Sequence, residues 1–265
     1  MGKTVLITGG SVGIGYAIAE EFAKRGNEII LASSNPARLE AAKQKLTDKY
    51  PAVPVSVYAA DLASEQGPIT LYNAIKADGI KVDILVNNAG FGDYCEFVES
   101  DWEKQQRMVA LNVTALMYLC RLYGADMKNR KNGRILNIAS CAAFSAGPYM
   151  AVYYASKAFV LSFSQALTEE LAEYGVKVTA LCLGPTNTHF TEAADMKTST
   201  MFKKIKPDTP EAVAKTGYKA VMDGRSVKFH GAPTALMSVA ARFAPRIISR
   251  KFAKYINSKP GAENK

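Results

Sequence analysis

The strongest constraint on this fold is a change of period that repeats along the chain. Short runs of apolar, β-favouring residues recur through the 265 residues, and helix-length segments separate them. Val5-Leu6-Ile7 reads as a strand, and Ile14 to Lys24 as a helix with Ile14, Ile18 and Phe22 on one stripe. Glu28 to Ala32 is a second strand. Pro36 opens a helix to about Lys49, at a position where its missing N–H costs nothing. Val53 to Tyr58, Val82 to Val86, Arg134 to Ile138, Val176 to Leu183 and Val227 to Phe229 supply further strands, and long helices are expected over roughly 101–127 and 152–173. Apolar strands joined by helices bury both of their faces in a parallel sheet covered on both sides. The expected fold class is therefore α/β, a single doubly wound parallel sheet of about seven strands with helices on both faces. One domain is expected over residues 1–231, with an irregular insert near 187–209 and a helical tail over 232–265.

Composition removes several classes. No apolar run reaches the ~18–20 residues that span a bilayer, and the apolar stretch after Met1 is too short for a signal peptide. Cys95, Cys120, Cys141 and Cys182 have no zinc spacing and form no CxxC pair. They read as free thiols in a reducing compartment, so a cytoplasmic location is the expectation. With His189 and His230 the only histidines, no histidine-rich metal site is expected.

Thr8-Gly9-Gly10-Ser11-Val12-Gly13-Ile14-Gly15 joins the first strand to the first helix. A glycine turn at this junction lets a pyrophosphate approach the backbone at a helix N-terminus, where N–H groups and dipole favour an anion. The plain alternative is a tight turn without a ligand. Tyr153 and Lys157 lie four residues apart in Tyr153-Tyr154-Ala155-Ser156-Lys157, so a phenol and an ammonium share one helix face. A positive charge at ~4 Å is worth up to ~4 kcal/mol at an effective dielectric near ~20. That is enough to draw a phenol of pKa ~10 toward the range where acid/base catalysis works. The bland reading of the pair is an exposed contact between neighbours on a helix. Tyr154 lacks the four-residue spacing to Lys157.

Together these motifs resemble the short-chain dehydrogenase/reductase family. The resemblance rests on Gly9…Gly13-Ile14-Gly15, Asp61-Leu62, Asn87-Asn88-Ala89-Gly90, Asn112, Ser140, Tyr153…Lys157 and Gly184-Pro185-Thr186-Asn187-Thr188, in the family's order over about residues 4–190. It implies a Rossmann-type sheet and hydride transfer between a nicotinamide cofactor and a ketone or alcohol. Carried over residue by residue, Tyr153 would exchange a proton with the substrate oxygen, and Ser140 would hydrogen-bond the same oxygen. Lys157 would lower the phenol pKa and contact the ribose, and Asn112 would hold a water for the proton relay. Gly9, Ser11, Gly13, Ile14 and Gly15 would meet the pyrophosphate side. Asp61 and Leu62 would meet the adenine, Asn88, Ala89 and Gly90 the nucleoside region, and Gly184, Thr186 and Thr188 the nicotinamide end. Leu183 departs from the family, which usually has proline before Gly184.

An NAD enzyme usually ends its second strand with an acid that binds the ribose hydroxyls. Here Ser33 holds that position and Ser34 follows, with Arg38 the nearest cation. Hydroxyls of Ser33 and Ser34, the Asn35 amide and the Arg38 charge suit a 2′-phosphate, so NADP is preferred and NAD is the alternative. Arg38 as a solvated helix residue is the bland reading.

The substrate pocket is expected to draw on Phe91, Phe144, Tyr149, Met150, Met196, Met201 and Phe202, an apolar and pliable set that suits a ketone or alcohol on a hydrophobic body. The segment Ala155-Ser156-Lys157-Ala158-Phe159-Val160 resembles the branch of the family associated with fatty-acyl and steroid-like ketones, and so does the tail with its Pro245-Arg246. The tail also holds the charge: residues 225–265 carry +8 of the chain's net +9. Ala244, Ile248, Phe252 and Ile256 form an apolar stripe among its basic residues. Packing onto the protein, a lid over the substrate and a peripheral membrane contact all remain open for it. Nucleic acid is not expected as a partner, because the remaining surface is not basic. The two long helices carry apolar residues on more than one side (Met108, Leu111, Leu116, Leu119; Phe159, Phe163, Leu167, Leu171), and in the resembling family they pair across two-fold axes. A homodimer or homotetramer is expected. The alternative to an enzyme is a non-catalytic dinucleotide-binding or membrane-associated interaction protein on the same fold.

Overall fold

The computed structural model describes residues 2–187 and 207–258. Seven parallel strands form one sheet: β1 (Thr4–Thr8), β2 (Glu28–Ser33), β3 (Val55–Ala59), β4 (Ile84–Asn87), β5 (Gly133–Ile138), β6 (Val176–Cys182) and β7 (Val227–Phe229). Their order is β3-β2-β1-β4-β5-β6-β7. β1 pairs with both β2 and β4, so the chain winds outward in one direction, returns, and winds outward in the other. The crevice for a ligand opens at that reversal, beyond the carboxyl ends of the strands.

The strand period of two sorts the core into two layers. Val5, Ile7, Ile29, Leu31, Val86 and Leu136 point to one face, where they meet Ile18 and Phe22 of α1 (Gly13–Ala23), Leu39 and Leu46 of α2 (Pro36–Lys49) and Val213 of α7 (Pro210–Asp223). Leu6, Ile30, Leu85, Ile135 and Val178 point to the other. There they meet Leu71 and Ile75 of α3 (Gly67–Ala77), Leu119 and Tyr123 of α5 (Leu116–Asn129) and Val160 of α6 (Ala151–Ala172). Each fully buried Leu, Ile or Phe contributes on the order of 1.5–3 kcal/mol, so the sheet is the rigid base on which the site rests.

The helix expected over 101–127 is one rod, Trp102–Asn129, built from α4 (Trp102–Val109), a π-helical turn (Ala110–Ala115) and α5. Its 28 residues are long and apolar enough to cross a membrane, but Met108, Leu116, Leu119, Cys120, Tyr123 and Met127 are buried against the sheet and α6. Helices α3 and α7 were not anticipated from the sequence. α7 follows the segment expected to be irregular, and Thr209 caps it by accepting from the Ala212 N–H. The tail forms two helices, α8 (Ala232–Phe243) and α9 (Arg246–Asn257), broken at Pro245 as its lack of an N–H requires.

Candidate active site

The turn after β1 is built around glycines for steric reasons. Gly9 and Gly13 have φ of 62° and 57°, in the region that side chains avoid. A Cβ on Gly15 would lie 2.2 Å from the Gly9 carbonyl oxygen. Thr8 and Asn88 lock this turn to the end of β4. The Asn88 amide Nδ2 donates to the Thr8 and Gly9 carbonyls at 3.0 and 3.2 Å, and Thr8 Oγ1 accepts from the Asn88 and Ala89 N–H groups, both at 3.0 Å.

From this turn one cavity of ≈ 380 Å³ runs along the carboxyl ends of the strands. At one end it is lined by Gly9, Ser11, Val12, Gly13, Ile14, Ser33, Ser34 and Arg38. Its middle is lined by Asn88, Ala89 and Gly90, and its far end by Ser140, Tyr153, Lys157, Gly184 and Thr186. Residues separated by more than a hundred positions in sequence thus face one space. Ser11 Oγ donates to Ser33 Oγ at 3.3 Å, and Asn35 caps α2 by accepting from the Arg38 N–H at 2.9 Å. The cap fixes the Arg38 backbone on the first turn of α2, while its exposed side chain lines the cavity rim. No carboxylate among the described residues pairs with Arg38.

At the chemical end, Ser140 lies two residues beyond β5, where it caps a short 3-10 turn: its Oγ accepts from the Ala142 N–H at 3.1 Å. The Tyr153 hydroxyl is hydrogen-bonded to the Ser140 side chain. Lys157 is buried; its Nζ donates to the Ile138 carbonyl at 2.8 Å and lies 5.8 Å from the centre of the Tyr153 ring. The expectation that Lys157 lowers the phenol pKa is not met. Burial pushes the Tyr153 phenol above its ordinary value, opposed by the Ser140 hydrogen bond. Burial also pulls the Lys157 ammonium down, to about 8. Both shifts have one cause: a crowded wall of protein atoms penalises each charge more than its neighbour repays.

Several expected site residues lie elsewhere. Asn112 does not line the cavity. Its Oδ1 accepts from the Phe91 N–H at 3.1 Å, and its Nδ2 donates to the Phe91 carbonyl at 2.9 Å and to Ser156 Oγ at 3.2 Å. Both amide hydrogens are therefore committed, and the side chain braces the loop after β4 against α6. The π-helical turn presents it, a local widening that recurs at functional positions. Asp61 lies outside the cavity lining and pairs with Arg107 at 3.0 Å; that hydrogen bond holds its carboxyl below the usual carboxylate range. Leu62 is in the core, and Gly15 acts by making room rather than by lining. Thr188 lies outside the described residues.

Of the expected substrate residues, Phe91 and Met150 line the cavity. Phe144 packs on Phe229 and Tyr149 on Tyr94. Met196, Met201 and Phe202 are outside the described residues. Tyr154, set aside for its spacing, lines the cavity as well. Its hydroxyl donates to Asn257 Oδ1 of α9 at 3.1 Å, and Asn257 Nδ2 donates to the Pro148 carbonyl at 3.0 Å. Asn257 is fully buried. A lone Asn near a chain end carries no signal for this role. Buried Asn137 was also missed; it links Asn87 of β4 to Ser164 of α6 with bonds of 2.9 Å each. An amide inside an apolar strand was the one available hint.

A dinucleotide cradle at a sheet reversal, opening onto a Ser-Tyr-Lys cluster, defines the class of nicotinamide oxidoreductases with a single α/β domain. The chain belongs to the short-chain dehydrogenase family, which residues 3–199 match. It is 35% identical over 184 residues to the very-long-chain 3-oxoacyl-CoA reductase of Bos taurus, covering 67% of this chain and 57% of that protein. It is 36% identical over 183 residues to the 17-beta-hydroxysteroid dehydrogenase type 3 of Danio rerio, covering 66% and 58%. The chain thus spans a little over half the length of these two relatives. A short-chain dehydrogenase from Sphingobium yanoikuyae in complex with NADPH superposes with a TM-score of 0.81 at 30% identity, over 91% of this chain and 93% of that one. Membership makes the chain an oxidoreductase that moves a hydride between a nicotinamide cofactor and an alcohol or ketone.

Proposed function

We propose that the protein is an NADPH-dependent reductase of a ketone carried on a hydrophobic body. The observation that supports this best is the single cavity that joins the acid-free Ser33–Arg38 rim to Ser140, Tyr153 and Lys157. The cofactor cradle fits: no Cβ can enter at Gly9 or Gly15, and the α1 N-terminus offers its N–H groups to a pyrophosphate. At the end of β2 no carboxylate stands to repel a 2′-phosphate, and Arg38 supplies a positive charge. The Sphingobium relative holds NADPH.

When bound, NADPH supplies the hydride that reduces the carbonyl carbon. Ser140 and Tyr153 position the carbonyl oxygen with their hydroxyls. Tyr153 then releases its proton to that oxygen. Burial keeps the phenol protonated at neutral pH, so the proton is present when the ketone binds. Lys157 is the charge beside the phenolate left behind. Phe91, Met150 and Tyr154 give the far end an apolar wall suited to a fatty or polycyclic ketone. The exposed apolar side chains Trp102, Val109, Met117 and Phe159 on α4, α5 and α6 are read as a homo-oligomer interface.

The test is NADPH oxidation with a panel of hydrophobic ketones, with NADH run in parallel. Turnover with several bulky ketones and a preference for NADPH are expected. Absence of turnover with every ketone, alongside tight NADPH binding, would favour a non-catalytic dinucleotide-binding protein.

A further inference from the structure

Helices α8 and α9 turn apolar side chains outward. On α8, Thr234 and Ser238 face inward and are buried, and Ser238 Oγ donates to the Thr234 carbonyl at 2.7 Å. Leu236, Val239 and Phe243 follow a three-and-four spacing on the outer side, with Leu236 71% and Phe243 81% exposed. On α9, Ala253, Ile256 and Asn257 face inward, while Ile248 and Phe252 are 58% and 54% exposed. A helix that buries one face and still shows phenylalanine and leucine on the other has a surface built to be covered.

Charge narrows the choice of partner. Residues 232–258 contain five Lys/Arg and no Asp or Glu. Arg246, Arg250, Lys251 and Lys254 are exposed on α9 beside its apolar side chains. A second copy docking here by two-fold symmetry would set this basic segment against itself with no acid to compensate. A nucleic-acid backbone would satisfy the charges and leave Leu236 and Phe243 in water. An anionic bilayer satisfies both: its headgroups attract the basic side chains, and its acyl boundary takes the apolar ones.

We propose that the outer face of α8 and α9 is a peripheral contact for an anionic lipid surface. Arg246, Arg250, Lys251 and Lys254 bind headgroups, and Leu236, Phe243, Ile248 and Phe252 enter the acyl boundary. The contact does not depend on the reaction proposed above. It places the membrane beside the helix whose Asn257 holds Tyr154 at the cavity wall.

The full chain is sedimented with vesicles of mixed phosphatidylglycerol and phosphatidylcholine, and with phosphatidylcholine alone, at low and high salt. Binding is expected to the anionic vesicles, with about a tenfold or greater loss on neutral vesicles or at high salt. The double variants Arg250→Glu/Lys251→Glu and Leu236→Ser/Phe243→Ser, at exposed positions, should each lose about tenfold with the melting temperature unchanged. Should either variant be unstable, Phe243→Trp in a Trp102→Phe background gives a second reading. Its emission should shift to the blue with anionic vesicles alone. Wild-type protein left in the supernatant, equal binding to neutral vesicles, or an unshifted Trp emission overturns the proposal. So does a pair of folded variants that bind as the wild type does, or that change only the oligomer size.

Discussion

At the scale of single residues, burial decides what the charged groups do. Lys157 is the clearest case. Its folded pKa is about 8 against an ordinary 10.5, so between those values the unfolded chain binds the extra proton. Stability therefore rises with pH across about 8 to 10.5, and below about 8 the full cost of the buried ammonium, about 3 kcal/mol, is present. Lys157→Met removes that cost and leaves the buried Ile138 carbonyl without this partner, at about 1–3 kcal/mol. The variant should melt higher than wild type at pH 7 by the equivalent of up to about 2 kcal/mol, lose that advantage near pH 10.5, and lose most turnover. A variant that melts lower at pH 7 would contradict this account of the site. Tyr153→Phe should lower kcat by about 10²–10⁴ while cofactor binding holds, as loss of a general acid does. Tyr154→Phe should leave kcat within a few-fold, because its hydroxyl is committed to Asn257. Arg38→Ala should weaken NADPH by about tenfold and leave NADH nearly unchanged, measured by fluorescence titration, since only the 2′-phosphate would miss the charge.

At the scale of elements, the tail is held by one buried amide. Asn257 joins α9 to α6 through Tyr154 and to the loop before α6 through Pro148. Asn257→Leu leaves a buried hydroxyl and a carbonyl without this partner, at about 1–3 kcal/mol each. α9 should then loosen, seen as faster amide exchange over 246–257, and KM for bulky ketones should rise while KM for NADPH holds. Unchanged exchange would show that Ala253 and Ile256 hold the helix unaided. The stripe Ala244, Ile248, Phe252 and Ile256 looked continuous in sequence, yet only Ile256 of its α9 members is buried. The inward face of α9 runs instead through Ala253, Ile256 and Asn257, and a small residue and an amide are easily overlooked as anchors.

At the scale of the whole molecule, two apolar surfaces differ in charge and so in expected partner. The tail face is acid-free and basic. The surface over α4 to α6 carries both signs, with Glu103, Lys104 and Arg107 near Trp102, which suits a second copy of the chain. The residues first picked out for that interface are largely elsewhere: Met108, Leu116 and Leu119 are buried, and Leu111, Phe163, Leu167 and Leu171 pack against the core. Met117→Glu together with Phe159→Glu, at exposed positions, should therefore reduce the proposed oligomer to smaller species in sedimentation velocity. An unchanged sedimentation coefficient would move the interface off these helices.

The sequence by itself determined where the strands fall along the chain, their burial on both faces, the glycine turn after β1, and the placing of Ser140, Tyr153 and Lys157 near the ends of their elements. Each of these depends on local period, on a φ that only glycine tolerates, or on a four-residue helical spacing. The tertiary structure decided which polar side chains face the ligand and which hold the frame. Asn112 and Asp61 resemble ligand contacts in sequence, but their side-chain hydrogen bonds go to Phe91 and Arg107, whereas Asn88 both lines the cavity and ties Thr8 and Gly9 to β4. The Tyr154–Asn257 bond spans 103 positions of sequence. A side chain's hydrogen-bond capacity is fixed by its type, whereas the partner that takes it is set only when the sheet and helices bring distant segments together. For the same reason burial, and not the four-residue spacing, governs the Tyr153 and Lys157 charges.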